Sequence, residues 1–239
     1  MNVPDGPAGR IAVALDVEDL DRAVALAGRL AGQVGWFKVG LELFTREGPR
    51  AVAAIAEHGR VFLDLKLHDI PTTVARSVAS AAALDVGLLT VHASGGPRML
   101  SAAADAAAEA VGGRPPHERL RLLAVTVLTS TSDGELAAMG MEPAEVQVPR
   151  LAAMAVDSGV DGLVCAPVDL GRVRGAVGVE PLVVTPGIRA EAAATDDHAR
   201  AMSARDAVTA GADLLVVGRP ITRADDPVAA VRTIVATLR

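Results

Sequence analysis

Lysine is almost missing from this chain. Of its 23 Lys and Arg residues, only Lys38 and Lys66 are lysines, and the other 21 are arginines. Arg is effectively never deprotonated, whereas Lys is a compact point charge that can give up a proton. Both lysines sit at the ends of apolar, strand-like runs. Their retention in so Arg-biased a chain points to proton transfer or a tight point contact, with chance retention as the competing explanation. Cysteine is scarcer still: Cys165 stands alone, which excludes an intrachain disulfide. No apolar run reaches the roughly 20 residues of a membrane-spanning helix. There is no basic patch and the net charge is −6, which argues against nucleic acid as a partner. Met1 to Arg10 is polar and rich in Pro and Gly, unlike a signal peptide or an amphipathic targeting helix. The expectation is a soluble, cytoplasmic protein with neither membrane nor nucleic-acid partners.

Signatures of metals and organic cofactors are missing too. The five histidines, His58, His68, His92, His117 and His198, are scattered without ligand spacing such as H-x-x-x-H. No Gly-rich dinucleotide fingerprint follows the first apolar run, so a nicotinamide or flavin lacks support. Ser130, His92 and Asp16 would supply a Ser-His-Asp set, but no nucleophile-elbow pattern accompanies them. We therefore expect no metal and no cofactor.

What is present is an alternation. Short apolar runs occur at Ile11–Leu15, Trp36–Val39, Val61–Leu65, Leu88–Val91, Leu120–Leu128, Gly162–Cys165, Leu182–Thr185 and Leu214–Val217. Between them lie Ala-rich segments with helical spacing, such as Leu20–Leu30, Thr73–Leu84 and Pro143–Ser158. Strict β-α order implies a parallel sheet, and near-continuous apolar strands imply cover on both faces. Eight such units closing on themselves make a (β/α)₈ TIM barrel, an α/β fold that commonly reaches 239 residues as a single domain. An open, doubly wound sheet is the alternative. The domain is expected to span residues 1–239, with 1–9 loosely attached.

In such a barrel, reactive residues gather at the C-terminal ends of the strands. The third run, Val61 to Leu65, leads into Lys66, Asp69 and the helix-starting Pro71. Side chains alternate along a strand, so Asp64 and Lys66 face the same side, while Asp69 falls in the turn beyond. Burying charge is costly unless it is paired, so this D-x-K-x-x-D is either a structural ion-pair cluster or a functional one. Other strand ends supply Asp16, Lys38, His92, the hydroxyls from Thr129 to Ser132, Thr185 to Arg189, and Gly218-Arg219. The sixth, at Cys165, offers nothing catalytic. Arg189 and Arg219 can grip an anion bidentately, with Gly218 allowing close backbone approach, where such barrels often bind phosphate. The competing assignment pairs these arginines with Glu191 or Asp225.

The run Asp64-Leu65-Lys66-Leu67-His68-Asp69-Ile70-Pro71-Thr72-Thr73 resembles the signature of the orotidine 5′-phosphate decarboxylase family, which carries out the last step of UMP synthesis. Ala14-Leu15-Asp16, Phe37-Lys38-Val39-Gly40, Leu128 to Ser132, Thr185 to Arg189 and Val217-Gly218-Arg219 resemble family segments in the same order, covering most of the chain. The resemblance implies cofactor-free decarboxylation of orotidine 5′-phosphate to UMP in pyrimidine biosynthesis. Lys66 would protonate C6, Asp64 would face the substrate carboxylate, and Asp16 and Lys38 would hold ribose hydroxyls, with Lys38 also in the charged network. Asp69 and Thr73 would act across a homodimer with shared active sites. Thr129 and Ser130 would contact the pyrimidine, and Arg189, Gly218 and Arg219 the phosphate. Ile70 and Pro186 join the substrate-binding set. His198 stands where family members often carry Gln.

Two other functions remain open at this stage. Related sugar-phosphate decarboxylases or synthases of the same barrel group share D-x-K-x-x-D, but they use Mg²⁺ and carry an acid where this chain has Lys38. A non-catalytic phosphosugar-binding barrel would use Lys66 only as a structural ion pair.

Overall fold

The computed structural model describes residues 6–110, 119–189 and 202–238. The apolar runs form strands β1 (Ile11–Ala14), β2 (Trp36–Gly40), β3 (Val61–Leu67), β4 (Leu88–His92), β5 (Arg121–Val125), β6 (Gly162–Val164) and β7 (Leu182–Thr185). A ribbon of two short strands, β8 (Ile188–Arg189) and β9 (Met202–Ser203), precedes β10 (Leu214–Val217). The order β1-β10-β7-β6-β5-β4-β3-β2 closes into a barrel. Parallel pairing of Ile11 with Leu215 and Val13 with Val217 makes the closure, so the fold is the (β/α)₈ barrel and not the open sheet.

Helices surround it: α1 (Leu20–Leu30), α2 (Leu41–Glu47), α3 (Pro49–Ala56), α4 (Pro71–Ala82), α5 (Gly96–Glu109), α6 (Asp133–Ala138), α7 (Ala144–Asp157), α8 (Leu170–Val177), α9 (Ala204–Thr209), α10 (Arg219–Thr222) and α11 (Pro227–Thr237). Their starts are legible in local chemistry. Asp19, Ser132, Ser203 and Asp226 accept backbone N–H bonds as N-caps, and Pro49, Pro71 and Pro227 open helices where a missing N–H costs nothing. None of the described helices is long and apolar enough to cross a membrane.

The two-residue period of the strands sorts apolar side chains into two layers. Outward residues such as Val13, Phe37, Leu63 and Leu89 pack under the helices, in one continuous core. Inward residues such as Ala12, Trp36, Phe62, Leu123 and Val184 fill the barrel itself. Trp36 lies low in this interior with the Arg60 guanidinium 4.0 Å from its ring centroid. A Cβ at Gly87 would come within 2.7 Å of that ring, so the large side chain requires glycine on the neighbouring segment. Higher up, the inward positions turn polar, at Lys38, Asp64 and Thr90, and there the site begins.

Three departures from the sequence reading have physical causes. The fifth strand ends at Val125, although the apolar run continues to Leu128. Thr126 N–H still donates to the Val164 carbonyl at 3.1 Å, and then Val127 and Leu128 turn to line the barrel mouth. The third strand extends to Leu67 because it carries an irregularity described below. Within the stretch expected to be loose, Pro7–Arg10 form a 3-10 turn, tied down by Gly35 N–H donating to the Ala8 carbonyl at 3.0 Å.

Candidate active site

Strand β3 presents its charges through a distortion. Leu63 pairs with Leu89 and Leu67 with Val91, so Asp64, Leu65 and Lys66 all stand opposite the single residue Thr90. Lys66 adopts φ 49°, a left-handed conformation that costs a residue with a side chain about 1–2 kcal/mol. Its ammonium is thereby set on Asp64, with Nζ donating at 2.8 Å to both carboxylate oxygens. Simple alternation predicts the same neighbours, but here a bulge makes the contact.

The array continues across two strands. Lys38 Nζ, from β2, donates to Asp16 Oδ1 at 3.1 Å and lies 3.6 Å from Asp64 Oδ2. Asp16, Lys38, Asp64 and Lys66 thus alternate in sign. Lys38 and Asp64 keep only 8% and 13% of their side chains exposed, and the alternation offsets what burial of either charge alone would cost. Burial is the largest influence on the Asp64 carboxyl and pushes its pKa up. Lys38, Lys66 and hydrogen bonds from Lys66 and Thr90 outweigh it and hold the carboxyl below its ordinary value. Lys38 also occupies the space between two carboxylates that a divalent cation would otherwise seek. Among the described residues, no group of three or more His, Cys, Asp or Glu side chains clusters as a metal site.

These charges form one wall of a cavity of about 400 Å³ at the C-terminal mouth of the barrel. Phe62, Val125, Val164 and Val216 give it an apolar floor. Pro186, beyond β7, and Gly218 and Arg219, beyond β10, also line it, as does the exposed Thr129. Among the described residues no ion pair joins Arg219 to Asp225, while Glu191 lies outside them. Cys165 also lines the cavity, but burial pushes its thiol up to about 12, which makes it a poor nucleophile. The Ser-His-Asp set is not assembled: Asp16 holds Lys38, and the His92 ring rests on that of His68, with centroids 5.6 Å apart. Burial, His68 and Lys66 lower the His92 pKa, and Asp64 opposes them.

Ser130, Asp69, Ile70 and Thr73 stand outside this cavity. Ser130 is exposed and does not line it, while Ser132 is spent on capping α6. Asp69 is exposed, with Oδ1 accepting from Ile70 N–H at 2.7 Å, and the Ile70 side chain projects into solvent, 66% exposed. Thr73 faces an outer groove beside α4. The backbone of Arg189 belongs to β8, pairing with Ser203. His198 lies outside the described residues.

Two residues escape a reading of the sequence. A Cβ at Gly40 would lie 2.8 Å from Asp16 Oδ1 and 3.0 Å from Lys38 Nζ, so any larger residue at the end of β2 would displace the tips of this ion pair. Thr90, fully buried, donates to Asp64 Oδ1 at 2.9 Å and accepts from Lys66 N–H at 2.8 Å. In sequence it is an ordinary β-branched strand residue, and only the bulge opposite gives it a task.

Fold and site together define a (β/α)₈ barrel with paired lysines and carboxylates at its C-terminal mouth, the architecture of a barrel enzyme. A family model described as orotidine 5′-phosphate decarboxylase / HUMPS family matches residues 9–234. The orotidine 5′-phosphate decarboxylase of Trichlorobacter lovleyi is 48% identical, over 97% of this chain and 95% of that protein. The protein of the same name from Anaeromyxobacter sp. (strain K) is 51% identical, over 97% and 99%. The crystal structure of orotidine 5′-phosphate decarboxylase from Lactobacillus acidophilus superposes with a TM-score of 0.81 at 36% identity, over 96% of this chain and 98% of that one. The chain belongs to the orotidine 5′-phosphate decarboxylase / HUMPS family.

Proposed function

We propose that the protein decarboxylates orotidine 5′-phosphate to UMP without a cofactor, with Lys66 as the proton donor. The observation that carries this reading is the alternating Asp16–Lys38–Asp64–Lys66 array set against an apolar floor, with Arg219 lining the same cavity. The C6–carboxylate bond breaks, carbon dioxide leaves, and the electron pair stays on C6 in the plane of the ring, where the π system delocalises it poorly. A fixed cation beside C6 stabilises that charge, and the Lys66 ammonium then transfers its proton to C6. Lys66 regains a proton from solvent. Asp16 and Lys38 bind ribose hydroxyls, Thr129 the pyrimidine, with Ser130 reaching it only if its loop moves inward, and Pro186, Arg189, His198, Gly218 and Arg219 the phosphate side. The test is carbon dioxide release from orotidine 5′-phosphate by purified protein in EDTA. Release that needs Mg²⁺ restored would favour a sugar-phosphate enzyme, and no release under either condition would favour a binding barrel.

The active unit in this reading is a homodimer in which Asp69, Ile70 and Thr73 complete the partner's site. In support, Asp69 and Ile70 point away from their own cavity on an exposed turn, where a two-fold axis makes such exchange reciprocal.

Arg219→Ala is expected to weaken UMP binding by about tenfold or more while leaving uridine binding nearly unchanged, since a charge-assisted anion contact is worth about 1.5–3 kcal/mol. Titration calorimetry with both ligands checks it. Equal weakening of both would place the phosphate elsewhere.

A further inference from the structure

We infer that Thr90 is a positioning residue for the reaction: its hydroxyl, relayed between the Lys66 backbone and the Asp64 carboxylate, fixes the geometry in which these two groups meet the substrate. The inference rests on the decarboxylase reading above and adds to it a residue from a strand, β4, that otherwise contributes nothing to the cavity wall.

Hydrogen-bond supply is short on this stretch of β3. Between the pairs Leu63–Leu89 and Leu67–Val91, three residues of β3 face one residue of β4. The ladder therefore cannot offer every backbone group of that stretch a partner, and an unpaired buried N–H is costly. Lys66 N–H finds its acceptor in Thr90 Oγ1 instead, at 2.8 Å. A hydroxyl has one proton and two lone pairs. With a lone pair committed to Lys66 N–H, Thr90 directs its proton to Asp64 Oδ1, at 2.9 Å. One side chain thus holds both ends of the D-x-K pair, the backbone of the lysine and the carboxylate of the aspartate. Thr90 has no solvent exposure, so no water can exchange with it in this role.

The clamp acts where the chain is strained. Lys66 sits at φ 49°, and from that conformation its ammonium reaches both Asp64 oxygens. Valine at position 90 would keep the shape and the packing but offer neither donor nor acceptor. Lys66 N–H would lose its acceptor, Asp64 would lose a donor, and both groups would be free to shift. A displacement on the order of 1 Å at a reacting centre can cost about a hundredfold in rate.

Thr90→Val is expected to lower kcat by about ten- to a hundredfold with KM changed much less, because ribose and phosphate contacts lie on other strands. Thr90→Ser, which keeps the hydroxyl, should restore kcat to near that of the native protein. A second readout does not need turnover: ¹³C NMR titration of the Asp64 carboxyl. The charged groups facing it are Lys38 from β2 and Lys66 from β3, with Asp16 beyond Lys38 and His92 on β4. All of these groups are retained in both variants. Loss of the Thr90 donor removes one influence holding the carboxyl down, so Asp64 should titrate at higher pH in Thr90→Val than in Thr90→Ser or the native protein. If Thr90→Val does not fold, Thr90→Ser against Thr90→Cys poses the same comparison, since a thiol is a weak donor and acceptor. An unchanged titration with an unchanged kcat would overturn the inference, and so would a serine variant as impaired as the valine one. If the native protein releases no carbon dioxide, the functional reading fails, and the titration still decides whether Thr90 holds Asp64.

Discussion

Lys66→Arg should lower turnover of orotidine 5′-phosphate by about 10²–10⁴-fold while the protein stays folded and still binds UMP. The geometry makes this substitution informative. Lys66 Nζ meets both oxygens of Asp64 at 2.8 Å, and a guanidinium fork can satisfy the same carboxylate bidentately. Charge and ion pair therefore survive, and the left-handed backbone at Lys66 is indifferent to which long side chain it carries. What disappears is a proton that can leave, because a guanidinium does not give one up near neutral pH. Carbon dioxide release measures the loss, with circular dichroism and UMP titration as controls. Normal turnover by Lys66→Arg would make Lys66 a structural partner of Asp64, and the phosphosugar-binding alternative would gain.

Mixing two inactive variants should restore activity. Asp69 lies on the exposed turn before α4, with its carboxylate on the Ile70 N–H and not in its own cavity, whereas Lys66 faces inward. If Asp69 serves the neighbouring subunit, a heterodimer of Lys66→Ala and Asp69→Ala holds one doubly damaged site and one intact site. Random reassociation makes half of the dimers mixed, so about a quarter of native sites should reappear. Each variant alone, dissociated and reassociated at equal concentration, sets the baseline. If Asp69 serves its own barrel, every site keeps a defect and activity stays at that baseline. Absence of recovery in a sample proved by mass spectrometry to contain heterodimers would rule out the shared site.

The barrel was legible because eight buried parallel strands must be apolar and evenly separated, and that spacing survives in one dimension. The charged array was legible for a related reason: a charge in or beside an apolar run has to be paired, and Asp16, Lys38, Asp64 and Lys66 all lie toward the C-terminal ends of such runs. Features made by a second segment were hidden. Thr90 matters only because β3 bulges opposite it, and the bulge depends on pairings with β4 that no local pattern encodes. Gly40 looks like the end of a strand until Asp16 and Lys38 are placed beside its missing Cβ. The short elements α2, α6 and α10 and the two-residue strands β8 and β9 are too brief to establish a period. Leu128 misled in the opposite direction, since a side chain bordering a ligand cavity is as apolar as one in a strand.

The solitary buried thiol of Cys165 has a practical consequence. A thiol held at about 12 carries almost no thiolate at neutral pH, and thiolate is what maleimides and disulfide reagents attack. The native sequence is therefore already a silent background for site-specific chemistry. An engineered cysteine at a solvent-facing position such as Val179, which is 79% exposed, would be the one group to take up a fluorophore or spin label. Distances between two such labels, one on each protomer of the proposed dimer, could then be measured without removing a native residue from the wall of the cavity.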